Sequence, residues 1–118
     1  MTAVFCAAFC PVAWAGYDLH ITRAKDWTES KKTPVTVEEW VQYVKSDSEF
    51  HLVQPQDPKG RAKDAIWIDP KNKQECYFYY SDGAISVKDP DERIIAKMKK
   101  VALKLKAKVV GDDGEDYK

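Results

Sequence analysis

Two histidines, His20 and His51, and Cys76 are the residues of this 118-residue chain most able to support proton transfer or nucleophilic attack. A nucleophile needs a base within hydrogen-bond reach and a third group that orients the base. His20 lies two residues from Asp18, and an association of His20, Asp18 and Cys76 is the nearest approach to such a set. Cys76, however, shares its alternating phase with Phe78 and Tyr80, which marks it as core filling. The sequence holds no Gly-rich phosphate loop, paired metal-ligand motif or nucleophile elbow. Cys6 and Cys10 stand four apart without the further Cys or His that a zinc site requires. The expectation is no catalytic residue, no metal and no cofactor.

Recognition chemistry is better represented. The alternation that buries Phe78 and Tyr80 sends Tyr77 and Tyr79 to the opposite side. Trp67, out of phase with Ile66 and Ile68, is expected to join them. Exposed aromatic rings beside Ser86 and Lys88 resemble the composition of protein interfaces and their hot spots. The competing reading is that a helix, a loop or the N-terminal segment covers these rings, or that they are half-buried cross-strand pairs. Lys97, Lys100, Lys104 and Lys108 form a helical stripe. With no interleaved aromatic or arginine, it lacks base-reading chemistry and reads better as a solvated face, so a nucleic-acid partner is disfavoured. Asp112, Asp113, Glu115 and Asp116 crowd around Gly114 but miss the calcium-loop spacing, which leaves them as steering or pairing groups for a basic partner.

The elements that position these residues follow from periodicity. Tyr17, Leu19 and Ile21 alternate with polar residues as a half-buried strand, and a polar loop with Trp27 follows. Thr36 and Glu39 make a capping box, and Val37, Trp40, Val41 and Val44 give the helix after it one apolar stripe. A short strand at 50–52 and a surface loop at 54–64 come next. A three-stranded meander is expected over 65–69, 75–80 and 84–88. Asp82-Gly83 predicts a type I′ turn that sets Tyr80 opposite Ile85 and Phe78 opposite Val87. Asp89 to Glu92 start a second helix to about Lys106, with Ile94, Ile95, Met98, Val101, Ala102 and Leu105 on its core face. Val109 and Val110 suggest a further strand before an acidic turn. The fold class is α+β, a mostly antiparallel sheet of four to six strands with two helices packed on one face.

The 19 basic and 19 acidic side chains cancel, so no global field draws the molecule to DNA or to an anionic membrane. Residues 1–16 read separately as an apolar leader, a candidate signal peptide ending at Ala13-Trp14-Ala15 or a disordered start, too short to span a bilayer. Residues 17–118 read as one domain. With Cys76 its lone cysteine, the domain suits the cytoplasm, or the periplasm if the leader is cleaved. Homodimerisation is left open.

YDLHITR at 17–23 with Trp27, TVEEWVQYV at 36–44, FYYSDGAISVKDPDE at 78–92 and GDDGEDY at 111–117 resemble a group of small bacterial α+β proteins, some of which are similar to immunity proteins of polymorphic toxin systems. The resemblance covers roughly residues 17–117 and carries no active-site residues. It implies a non-enzymatic interaction protein that binds and blocks a cognate toxin. Trp67, Tyr77 and Tyr79 are the expected anchors, with Trp27, Asp112, Asp113, Glu115 and Asp116 as accessory contacts. The alternative is a small enzyme or ligand-binding module with a pocket near His20 and the 54–64 loop.

Overall fold

Asp82 and Gly83 both take positive φ, 51° and 90°, and this tight turn sets Tyr80 opposite Ile85 and Tyr79 opposite Ser86. The computed structural model in which this hairpin sits describes residues 17–53 and 63–118; the leader and most of the expected 54–64 loop lie outside the described residues. In chain order the elements are β1 (Asp18–Thr22), a 3-10 turn (Trp27–Glu29), α1 (Val37–Ser46), β2 (Phe50–Leu52), β3 (Ala65–Ile68), β4 (Glu75–Ser81), β5 (Ala84–Lys88), α2 (Glu92–Lys104), β6 (Lys108–Gly111) and β7 (Asp116–Tyr117).

The strands form one sheet in the order β2-β3-β4-β5-β1-β6-β7, with every neighbouring pair antiparallel. Seven strands exceed the expected four to six. The seventh lies in the acidic tail, where Val109 faces Tyr117 and Val110 faces Asp116 around a turn closed by the Gly111 amide on the Glu115 carbonyl. β2 and β7, of three and two residues, are the outer edges.

Both helices pack on one sheet face. Trp40 and Val44 of α1 and Met98, Val101 and Ala102 of α2 share a single core with Leu19, Ile21, Phe78, Ile85, Val87 and Val109. The Thr36–Glu39 capping box forms as expected. In α2 the capping carboxylate is Asp91, whose side chain accepts from the Ile94 amide. Lys106 takes a φ of 56° and the Ala107 amide returns to the Ala102 carbonyl, which ends α2 at Lys104. Lys108 therefore belongs to β6 and not to the helical lysine stripe. Lys97 leaves that stripe as well, because its ammonium is held at 2.9 Å by both Asp47 and Glu49 with its side chain only 11 % exposed.

Trp67 corrects a second expectation. The Asp69 amide bonds to the Gln74 carbonyl around residues 70–73, which aligns Trp67 with Cys76 and Ile66 with Tyr77. Cross-strand partners share a face, so Trp67 joins Phe50, Cys76 and Phe78 beneath the helices while Ile66 and Ile68 face the other way. The indole is 4 % exposed, and its N–H is satisfied by Glu49 at 2.8 Å, which allows so large a ring to bury.

Gly83 is the tightest point of the hairpin. A Cβ there would lie 2.6 Å from the Ser30 carbonyl oxygen and 2.7 Å from Pro34 Cβ. Gly83→Ala adds this clash to the left-handed strain of a side chain, and should lower the free energy of urea unfolding by at least about 1–3 kcal/mol; an unchanged midpoint would contradict this packing. The Asp69 carboxyl, gripped by both nitrogen arms of Arg93, is held down at about 2 by those hydrogen bonds. A lowered carboxyl pKa contributes stability that is complete above its unfolded value and disappears as pH falls through the folded one. Arg93→Met should therefore flatten the loss of thermal stability between about pH 4 and pH 2, read from unfolding midpoints across that range.

Candidate functional site

The face of the sheet away from the helices divides into a sealed half and an open half. On the sealed half β1 sends His20 and Thr22 outward, flanked by Ser86 of β5 and Val110 of β6. An imidazole in this position must satisfy both nitrogens if it is to bury without penalty. His20 is 3 % exposed and does so: Nδ1 lies 2.6 Å from Ser86 Oγ and Nε2 lies 2.8 Å from Asp112 Oδ1. Trp27 stacks on the ring with centroids 3.8 Å apart and planes within 11°, and its indole N–H donates to the Asp112 carbonyl at 3.2 Å. Thr22 and Ser30 pair through their hydroxyls at 2.6 Å, and Ser30 donates to the Trp27 carbonyl. These bonds strap the segment from Arg23 to Pro34 across β1 and β5.

The open half lies over β3 and β4. Tyr77 and Tyr79 point outward, 43 % and 37 % exposed, with rings stacked at 5.7 Å between centroids. The Lys88 ammonium sits 5.6 Å from the centre of the Tyr79 ring. Ile66 is half-buried beside Tyr77, and His51 is exposed one strand further out. The two rings are thus presented on a rigid strand at low conformational cost.

Of the residues singled out by sequence, Tyr77 and Tyr79 lie together as expected, whereas Trp67 is on the core side and unavailable as an anchor. Trp27 and Asp112 meet at His20. Asp112 Oδ2 also accepts from the Asp18 amide at 3.1 Å, and Glu115 Oε1 accepts from the Asp113 amide at 3.2 Å. Asp116 approaches Lys108 to 3.7 Å. Asp113, Glu115 and Asp116 occupy the β6–β7 end, three to four strands from β4 and so roughly 14–19 Å from the tyrosines at ordinary strand spacing, whereas the Asp112 carboxylate reaches back to His20 on β1. Cys76 packs at the core side, where burial and the nearby Asp91 push its thiol up to about 11, away from nucleophilic use. Among the described residues no group of three or more acids, histidines or cysteines is placed to hold a metal ion, and no helix is long and apolar enough to cross a membrane.

The partnership of Ser86 and Asp112 with His20 escaped sequence reasoning. Ser86 carried no signal beyond its outward phase, and its meeting with His20 depends on β1 inserting between β5 and β6. No known protein family, characterised protein or solved structure matched the chain in comparison.

Trp27→Ala removes the cover from a ring whose two hydrogen bonds are otherwise shielded. The expected cost is about 2–3 kcal/mol from lost burial and stacking, seen in urea unfolding together with faster hydrogen exchange at the β1 amides. Unchanged exchange in β1 would show that the strap does not depend on the indole.

Proposed function

We propose that this is an interaction protein that binds and blocks a cognate bacterial toxin by non-enzymatic contact through the open half of its sheet. The observation that carries the reading is the stacked, outward-facing Tyr77–Tyr79 pair on an interior strand of a seven-stranded sheet. Large rings held by a rigid strand supply apolar contact area with little rotamer entropy to lose, and tyrosine is among the residues that dominate interface energetics. Lys88 beside Tyr79 adds a charge for orientation. Trp67 supports the surface from beneath. Asp113, Glu115 and Asp116 are too distant to join the same contact centre and act as a steering field for a basic partner, while the Asp112 carboxylate is engaged by His20 and the Asp18 amide. The resemblance of the four sequence segments to immunity proteins supports a toxin as the partner, and Cys76 as the lone thiol of residues 17–118 supports a cytoplasmic setting.

The test uses the full chain and the toxin-like protein encoded beside its gene. Replacing Tyr77 and Tyr79 together by alanine should raise Kd by at least about 30-fold, the equivalent of one hot spot of roughly 2 kcal/mol. Far-ultraviolet dichroism and the unfolding midpoint should stay close to those of the parent. Undiminished affinity in a folded double variant would remove the tyrosine face from the interface, and failure of the parent to bind would remove the toxin.

A further inference from the structure

Ser86, His20 and Asp112 form a continuous hydrogen-bonded chain that the inhibitor reading does not use. We propose that Ser86 is an activated nucleophile that attacks small, activated carboxylic esters and related acylating or phosphonylating electrophiles. Asp112 accepts from the ring at Nε2, so in the tautomer protonated there the Nδ1 lone pair faces Ser86 Oγ at 2.6 Å. A serine, a base and a carboxylate that fixes the tautomer of that base are the functional parts of a hydrolytic triad, recognised by geometry and not by order in the chain. The nitrogens are exchanged relative to the common arrangement, but either nitrogen of an imidazole can accept a proton.

The surroundings fit the role. Trp27 covers one face of the ring and fixes its plane beside Ser86. Ser86 is half-buried on the outer face, between His20 on β1 and Tyr79 on β4. Tyr79 offers a ring against which an aromatic leaving group can lie. Lys88, two residues along the same face, brings a cation to the region where negative charge develops. A mobile ammonium is a weaker stabiliser than fixed backbone donors, which confines the reaction to substrates with good leaving groups.

In the acylation step Ser86 Oγ bonds to the ester carbonyl carbon while its proton passes to His20 Nδ1. The carbon–oxygen bond to the alcohol then breaks, and the alcohol leaves with that proton. Water, deprotonated by His20, attacks the acyl-serine and releases the carboxylic acid, restoring the serine. Asp112 is a positioning residue, since it acts only through the ring.

The full-length protein is treated with a fluorophosphonate probe, in which Oγ displaces fluoride from phosphorus, and separately with p-nitrophenyl acetate. One phosphonyl group should appear in the intact mass and map to the peptide that carries Ser86. Ser86→Ala should lose the adduct. Asp112→Asn, which donates to Nε2 and so forces the proton onto Nδ1, should slow labelling about 10²-fold or more. The same variant should lower kcat for the acetate ester with KM unchanged, a split that a purely structural role would not produce. His20→Gln is read beside it, with circular dichroism to show that both variants fold. Absence of any adduct at Ser86 overturns the proposal. So does labelling confined to tyrosine or lysine, or labelling at Ser86 that proceeds at the parental rate in folded Asp112→Asn.

Discussion

A seven-stranded sheet has two faces to close, and the helices, of 10 and 13 residues, close only one. What closes part of the other is the cover built on His20. Its ring costs free energy to bury unless both nitrogens are bonded, and the partners come from separate parts of the chain, Ser86 on β5 and Asp112 after β6. One imidazole therefore ties β1 to both of its neighbours. Trp27 seals the ring, Ser30 pairs with Thr22, and the Val35 amide reaches the Gly83 carbonyl, so the strap from 23 to 34 lies flat because the histidine lies beneath it. The cover ends at β5. Tyr77 and Tyr79 are outside it for that reason, and the same boundary leaves Ser86 at the rim.

Features set by neighbouring residues were legible in the sequence. The capping box at Thr36, the positive-φ turn at Asp82-Gly83 and the core face of α2 depend on contacts within a few positions, and each formed as its local chemistry dictates. Features set by strand order were not. β1 reaches the middle of the sheet, a placement decided by the packing of the whole core, and the meeting of His20 with Ser86 and Asp112 follows from it. Trp67 shows the limit in a single residue. Ala65, Ile66, Trp67 and Ile68 alternate equally well with either set inward, and only the pairing of Asp69 with Gln74 selects the indole for the core. The lysine stripe was overextended for a related reason, since nothing in its spacing announced the left-handed residue at Lys106.

Part of the balanced charge of the chain forms internal ties. Arg23 binds both oxygens of Glu39 and also donates to the Leu105 carbonyl, so a single guanidinium joins the start of α1 to the end of α2. Those hydrogen bonds, with help from the Thr36 amide, hold the Glu39 carboxyl down at about 2. Lys97 occupies the seam between α2 and the residues just before β2, its ammonium over the rings of Phe50 and Trp67. Arg93 grips Asp69 at the end of β3. Ion pairs at the surface contribute little each, but these sit where helices meet strands and fix direction more than they add stability.

The brevity of the outermost strands has a consequence for how this molecule meets others in solution. Among the described residues, a foreign chain seeking to extend the sheet finds a three-residue border on one side and a two-residue border on the other, too few amide and carbonyl groups to align in register. Growth by backbone pairing is thereby discouraged even in a crowded, protein-rich milieu, and encounters are left to side chains displayed broadside.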